Sequence, residues 1–84
     1  MYYVYILQSS KDKRIYIGYT SNLEKRLEMH NSGMSNYTSK YMPWESVYFE
    51  AYRSKEDAFH REKTLKLHAQ GLRRLKERLR NSLV

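Results

Sequence analysis

The sequence contains no cysteine and only one proline and three glycines among its 84 residues. Without cysteine, neither a disulfide nor a thiolate–metal site can stabilise the fold. Such a composition is typical of cytoplasmic proteins, and we expect a cytoplasmic location. No apolar run approaches the roughly 18 residues of a membrane-spanning helix, and no basic region precedes the apolar N-terminal stretch. The sequence therefore predicts neither a membrane segment nor a signal peptide.

The charge of the chain is unevenly distributed. Basic residues outnumber acidic residues 16 to 9, which gives a net charge of +7. Residues 1–59 carry a net charge of +1, whereas residues 60–84 carry +6. A basic segment on a nearly neutral body can bind nucleic acid or an acidic membrane surface, or can simply be solvated. Charge alone leaves these interpretations open.

The hydrophobic pattern predicts one α+β domain over residues 1–84, with the element order ββαβαα. The first two strands are close enough in sequence to form an antiparallel hairpin, so we expect a three-stranded antiparallel sheet flanked by helices. The predicted elements are strands at 2–8, 14–19 and 46–52 and helices near 22–31, 55–68 and 72–80, with an aromatic loop at 34–45.

Local signals predict where the helices begin and end. Ser21 and Glu24 match a capping box at the start of the first helix, and Gly33 is a suitable residue to end it. Ser54 is the expected N-cap of the second helix. Gly71 interrupts the helical pattern and separates the second helix from a basic third helix.

The strands predict one aliphatic and one tyrosine-lined face of the sheet. Val4 and Ile6 share one face of the first strand, whereas Tyr5 lies on the other. Tyr16 lies on the face of the second strand opposite its isoleucines. In the third strand, residues 46–52 alternate between an apolar and a more polar set, which indicates one buried face.

The first helix places two polar residues on the side of its leucines. At 100° per residue, Arg26 and His30 fall within about 60° of Leu23. In the second helix, Glu62 falls about 40° from Ala58. A buried charge needs a partner, so an Arg26–Glu62 ion pair that joins the helices is one interpretation. A cleft that these side chains share with tyrosines of the sheet is the other, and it would suit phosphodiester hydrolysis.

The sequence resembles the GIY-YIG endonuclease superfamily. Tyr3-Val4-Tyr5 corresponds to the first half-motif of the family and Tyr16-Ile17-Gly18 to the second. Residues 22–31 are similar to the arginine helix of the family, and residues 58–63 to the segment that carries its metal-binding glutamate. The four blocks occur in order over essentially the whole chain. The resemblance is closest to the small stand-alone bacterial members.

The resemblance implies a metal-dependent endonuclease that hydrolyses DNA. Tyr5 would be the general base toward the attacking water, and Tyr16 would position the water or the phosphate. Arg26 would hold the scissile phosphate, and His30 would accept a hydrogen bond from the Tyr5 hydroxyl. Glu62 would bind one divalent cation, Mg²⁺ or Mn²⁺, because a single carboxylate with phosphate oxygens and water is a usual magnesium shell.

We also expect direct contacts with DNA and low sequence specificity, with a structure-selective role in repair or processing. The residues predicted to contact nucleic acid are Lys40, Tyr41, Lys66, Arg73, Arg74 and Lys76. Neither a small-molecule cofactor nor a membrane partner is expected. Two alternatives stay open: a nucleic-acid-binding module of the same fold with little activity, and an interaction protein whose basic segment docks on an acidic partner.

The chain departs from the family pattern at three places. Tyr3 stands where the first motif begins with glycine, and Tyr19 stands where many relatives carry lysine. Relatives also place an active-site asparagine after the metal-binding glutamate. The only asparagine downstream of Glu62 is Asn81, to which no role is assigned.

Overall fold

The computed structural model describes residues 1–83 and has the predicted α+β architecture. The sheet has the order β2-β1-β3, so the first strand is central and pairs antiparallel with both neighbours. The elements are β1 (Tyr2–Ser9), β2 (Ile15–Thr20), α1 (Leu23–Asn31), a 3-10 helix (Thr38–Tyr41), β3 (Trp44–Tyr52), α2 (Lys55–Leu67) and α3 (Ala69–Arg78). The fold class, the antiparallel hairpin and the order ββαβαα are confirmed.

Each face of the sheet carries its own hydrophobic cluster, as the alternation in β1 predicts. Val4 and Ile6 pack with residues of α2 and α3 such as Leu65. Tyr5 and Leu7 point to the other face and pack with Trp44 and the leucines of α1. The sheet therefore separates an aliphatic layer from a tyrosine-lined layer. Within the described residues, no helix is long and apolar enough to cross a membrane.

Two predicted helix boundaries are wrong. Asn22, not Ser21, caps α1: its side chain accepts a hydrogen bond from the backbone N–H of Lys25. Asparagine competes with serine at this position, because either side chain can accept from the first free N–H groups. The break between α2 and α3 falls at His68 rather than at Gly71, which lies inside α3. The predicted Ser54 cap of α2 is confirmed, since its side chain accepts from the backbone N–H of Asp57.

The predicted loop at 34–45 is more ordered than the sequence indicates. It contains the short 3-10 helix at Thr38–Tyr41. It is also shorter, because β3 begins at Trp44 rather than at residue 46. The Trp44 indole donates to the backbone carbonyl of Thr38 at 2.8 Å, and the Trp44 backbone N–H donates to the side chain of Asn31 at 2.7 Å. These contacts attach the loop to the end of α1.

The more buried face of β3 is the more polar one. Tyr48, Glu50 and Tyr52 point toward α2, whereas Phe49 is exposed. Both tyrosine hydroxyls donate to the Glu50 carboxylate, and Arg61 donates two hydrogen bonds to it at 2.9 and 3.0 Å. Four hydrogen bonds satisfy the carboxylate, which is why a charge is tolerated on this face.

Candidate active site

A line of hydrogen bonds connects β1, α1 and the 3-10 helix. The Tyr5 hydroxyl lies 3.0 Å from Nε2 of His30, and Nδ1 of His30 lies 2.9 Å from the hydroxyl of Thr38. Tyr5 and His30 are each only 1% exposed, and Thr38 is fully buried. His30 reaches the sheet because it shares the inward side of α1 with the leucines, as the helical periodicity predicts. The Tyr5–His30 contact matches the predicted hydrogen bond.

Gly18 creates the space for the Tyr5 hydroxyl. The two residues are directly opposite each other in the β1–β2 pairing. A Cβ atom at position 18 would overlap the oxygen and the ring of Tyr5. Position 18 therefore requires glycine, because the Tyr5 side chain comes close to the backbone there. Such a close approach is a common reason for glycine within a strand.

Arg26 lies beside this pair with an unsatisfied donor. Within residues 1–83, its Nε is buried and has no hydrogen-bond partner. Its Nη1 lies 3.7 Å from the sulfur of Met29, and its guanidinium also interacts with Tyr5. The side chain lines a pocket of about 500 Å³ together with Asn22, Lys25 and Met29. A buried donor without an acceptor is rare in native proteins, and a guanidinium N–H is chemically suited to an oxyanion.

Burial and Arg26 set the protonation of the Tyr5–His30 pair. Burial raises the pKa of Tyr5 to about 12, although interaction with the Arg26 guanidinium acts in the opposite direction. Burial also lowers the pKa of His30, and the positive charge of Arg26 lowers it further. Near neutral pH, Tyr5 is therefore a neutral phenol and His30 a neutral imidazole, which can accept a proton.

Tyr16 forms the outer side of the cluster. Its ring centroid lies 4.8 Å from that of His30 and 6.4 Å from that of Tyr5. The residue is half-buried, so it lies between the buried pair and the surface. Lys66 of α2 approaches the Tyr16 ring to 5.9 Å.

Glu62 belongs to the same region, but its partner differs from the prediction. Its side chain is 14% exposed, and its Oε2 lies 3.1 Å from Nζ of Lys66. Among residues 1–83, Arg26 and Glu62 form no ion pair. The interpretation of Glu62 as the buried partner of Arg26 is therefore wrong, because the lysine one turn later reaches it first. The charge of Glu62 still acts on the Tyr5 hydroxyl and contributes to its raised pKa.

The donor set fits one weakly chelated hard cation. In the described part of the chain, no three His, Asp or Glu side chains are close enough to hold a metal ion. Mg²⁺ is often bound through one or two carboxylates plus water and substrate phosphates. Glu62, largely buried and countered only by a flexible lysine, suits that mode of binding.

The residues predicted to contact nucleic acid fall into two groups. Arg73, Arg74 and Lys76 are exposed on α3, and Lys40 is exposed on the 3-10 helix. Tyr41 is half-buried, and the guanidinium of Arg14 covers one face of its ring at 3.6 Å. Lys66 is engaged with Glu62 rather than free. Asn81 is exposed in the turn after α3.

Three residues near the cluster were not predicted from the sequence. Thr38 contacts His30, and Arg14 donates to the Tyr37 hydroxyl at 3.2 Å. The Tyr37 ring lies 6.2 Å from that of Tyr16, which places it beside the predicted site. No periodicity could reveal them, because they lie in a turn and at the start of a four-residue 3-10 helix. The only sequence feature that could have pointed to this segment is its pair of tyrosines, Tyr37 and Tyr41.

The polar cluster draws its residues from three consecutive elements, β1, β2 and α1. Two paired strands each contribute a tyrosine, and the next helix contributes an arginine and a histidine. The family model described as the GIY-YIG catalytic domain matches residues 1–77, and the chain belongs to this family, which is an endonuclease superfamily.

The comparisons with individual proteins agree with this membership. A UPF0213 protein of Clostridium perfringens is 46% identical over 67 residues, which cover 79% of this chain and 71% of the relative. A UPF0213 protein of Staphylococcus haemolyticus is 40% identical over 80 residues, 92% of this chain and 96% of the relative. The solution NMR structure of a UPF0213 protein from Bacillus halodurans is 35% identical with a TM-score of 0.57, and covers 92% of this chain and 84% of that chain.

Proposed function

We propose that this protein is a divalent-metal-dependent endonuclease that hydrolyses DNA phosphodiester bonds with low sequence specificity. Processing of branched or damaged DNA is the role we assign to it. The observation that carries this proposal is the buried, unpartnered Nε of Arg26 beside the Tyr5–His30 pair. An arginine without a counter-ion at a pocket is suited to a phosphate, and the paired tyrosine and histidine are suited to proton transfer.

Each residue has a chemical task in this proposal. Arg26 binds the scissile phosphate and stabilises the charge that develops on it. Tyr5 takes a proton from the attacking water, and Tyr16 positions the water or the phosphate. With a pKa of about 12, Tyr5 is protonated at neutral pH. A protonated phenol is a weak base, because it must lose its own proton before it can take one from water. His30 solves this difficulty, because its neutral ring accepts the Tyr5 proton as the water is deprotonated.

Glu62 is the residue that would hold the cation. When bound, Mg²⁺ or Mn²⁺ supplies positive charge that neutralises the phosphate and stabilises the leaving oxygen. Lys66 must release the Glu62 carboxylate for this to occur, and its exposed side chain is then free to contact a neighbouring phosphate. Lys66 would thus pair with Glu62 in the free protein and contact nucleic acid in the complex.

Arg26 also controls access to the buried tyrosine. The Tyr5 side chain is closed off from solvent, so a water molecule can reach its hydroxyl only if a neighbour moves. Arg26 is such a neighbour, because its interaction with the Tyr5 hydroxyl and a 3.7 Å contact with Met29 hold it without an ion pair among the described residues. We propose that a phosphate in the pocket draws the guanidinium outward and opens the path to Tyr5.

The exposed basic residues bind the remainder of the DNA. Arg73, Arg74 and Lys76 on α3 would contact backbone phosphates, and Lys40 and Tyr41 would lie along the same strand of DNA. In this proposal residues 1–84 act as a single nuclease domain whose basic segment, 60–84, supplies most of the electrostatic affinity.

One observation favours a second candidate, a nucleic-acid-binding module with little activity. Tyr5 is 1% exposed, and a residue so buried can serve packing alone. Glu62 argues against this candidate, because binding alone gives no reason for a largely buried carboxylate whose charge acts on the Tyr5 hydroxyl.

The two candidates are separated by a cleavage assay. The protein is incubated with a panel of duplex, single-stranded and branched DNAs, with and without Mn²⁺, beside a Glu62→Ala variant. The nuclease predicts cleavage that requires both Mn²⁺ and Glu62. Binding to the panel without any Mn²⁺-dependent product would favour the binding module.

A further inference from the structure

The environment of His30 determines which ring nitrogen carries the proton. A neutral imidazole has one donor and one acceptor, and both nitrogens of His30 are in hydrogen bonds to hydroxyl groups. Two tautomers are compatible with these distances, because a hydroxyl can donate or accept. The choice depends on where the proton of the Tyr5 hydroxyl can point.

Among the described residues, Nε2 of His30 is the acceptor found within hydrogen-bond distance of the Tyr5 hydroxyl. Gly18 faces one side of the hydroxyl, where a Cβ atom would overlap the oxygen. Arg26, on another side, carries only donors, so it cannot accept the phenol proton. Nε2 of His30, at 3.0 Å, is then the acceptor that the described residues offer. A neutral His30 with an unprotonated Nε2 must carry its proton on Nδ1, and this N–H points at the Thr38 oxygen.

Thr38 is itself held in a fixed position. It is fully buried, and its carbonyl accepts the hydrogen bond from the Trp44 indole at 2.8 Å. Trp44 is in turn bound to Asn31, the residue after His30. The hydroxyl that faces Nδ1 is therefore attached to the same end of α1 that carries the imidazole.

We propose that Thr38 is a positioning residue that holds His30 in the Nδ1–H tautomer, so that Nε2 can accept the proton of Tyr5. Its consequence for catalysis rests on the proposed function, whereas the tautomer itself does not. Thr38 touches neither DNA nor the reacting atoms. It acts by keeping the acceptor nitrogen of His30 directed at the phenol.

The test combines a spectroscopic and a kinetic measurement on the whole chain. Two-dimensional ¹⁵N–¹H NMR of the ring nitrogens identifies the tautomer of His30 directly. Wild type and Thr38→Ser, which keeps the hydroxyl, are expected to show a protonated Nδ1 and an unprotonated Nε2. Thr38→Val, of similar shape, is expected to shift His30 toward the Nε2–H tautomer and to lower kcat about tenfold, with KM for DNA within about twofold.

Thr64→Val is the matched control. Thr64 donates its hydroxyl to the His60 carbonyl on the outer part of α2, so its loss leaves His30 unaffected. If wild-type His30 is found as the Nε2–H tautomer, the proposal is wrong, even if Thr38→Val does not fold. It is equally wrong if Thr38→Val folds with the tautomer and kcat of wild type. If wild type cleaves no DNA while the Nδ1–H tautomer is found and depends on the Thr38 hydroxyl, the nuclease proposal fails and the tautomer assignment stands.

Discussion

Gly18 and Tyr5 face each other across the first two strands, and the tyrosine hydroxyl occupies the space that a side chain at position 18 would fill. This relationship gives the last residue of the Tyr16-Ile17-Gly18 motif a physical role. The glycine leaves room for the Tyr5 side chain, whose hydroxyl reaches His30 of α1. The two half-motifs are thus coupled by packing.

We predict that Gly18→Ala displaces the Tyr5 ring and breaks its hydrogen bond to His30. The added methyl group would overlap the ring and hydroxyl of Tyr5. This ring is fully buried, so it cannot move aside as the end of a flexible side chain could. Thermal unfolding should show a loss of about 1–3 kcal/mol. NMR shifts of the His30 ring should change at the same time.

Gly71→Ala is the matched control for this substitution. A methyl group there would meet nothing within 4 Å, and the residue lies inside α3. Alanine should stabilise the helix by about 0.5–1 kcal/mol. Equal effects of the two substitutions would contradict the steric role of Gly18.

Two glutamates of similar burial are predicted to differ in their contribution to stability. Glu62 is 14% exposed and pairs only with the half-exposed Lys66, whereas Glu50 is 16% exposed and accepts from three side chains. We expect Glu62→Gln to leave the free energy of unfolding within about 0.5 kcal/mol of wild type. Glu50→Gln should lower it by about 2–4 kcal/mol, because it leaves Arg61 without its charged partner.

Denaturant titration of the two variants measures this difference. The assignment of Glu62 as a ligand in an open site needs its removal to be tolerated by the fold. If Glu62→Gln unfolds as readily as Glu50→Gln, Glu62 is a structural residue.

Acid should destabilise the fold partly through Glu50. Burial alone would raise the pKa of this carboxyl, but hydrogen bonds from Arg61, Tyr48 and Tyr52 outweigh it and hold the pKa below its ordinary value. A carboxyl whose pKa is lower in the folded chain stabilises the fold above its unfolded pKa, and this contribution is lost as the pH falls. We expect the wild-type melting temperature to fall between roughly pH 5 and pH 3.

The Glu50→Gln variant isolates this contribution. Since glutamine does not titrate, the melting temperatures of wild type and variant should converge as the pH falls through this range. Curves that stay parallel would show that Glu50 does not link stability to pH.

DNA binding is predicted to be strongly salt-dependent. If about four to six phosphates are neutralised, the logarithm of affinity should fall with the logarithm of salt at a slope of roughly −4 to −5 on duplex DNA. Replacing Arg73, Arg74 and Lys76 with alanine should weaken binding equally on all sequences and make the slope shallower. Fluorescence anisotropy across a salt series measures both, and a flat salt dependence would favour an acidic protein partner instead.

Regular periodicity made most of the fold predictable from the sequence. The alternation of Val4 and Ile6 with Tyr5 correctly separated the two layers of the sheet, and the angles of Arg26 and His30 correctly placed them inward on α1. These inferences depend only on the 2.0 and 3.6 residue periods. The Tyr5–His30 contact came from the family resemblance.

Features that depend on competition between neighbours were not predictable in the same way. Glu62 could pair with a residue across the molecule or one turn along its own helix, and only the structure shows that Lys66 is the partner. Asn22 replaced Ser21 as the cap for a similar reason. Thr38 begins a four-residue 3-10 helix that is too short to show a period, so no pattern connects it to His30.

The catalytic claim is tested most directly by single-turnover cleavage with purified Tyr5→Phe and Glu62→Gln proteins in the presence of Mn²⁺. Glu62→Gln should keep the wild-type melting temperature to within a few degrees. Tyr5→Phe should stay folded at a lower melting temperature, because the buried Nε2 of His30 loses its hydrogen-bond partner. Tyr5→Phe should bind DNA as wild type does and lose a factor of at least about 10² in rate, because the proton-transfer group is gone. Glu62→Gln should lose Mn²⁺ binding and cleavage, while its DNA affinity stays the same or rises. Unchanged cleavage rates in both folded variants would contradict the assignment of this cluster as the active site.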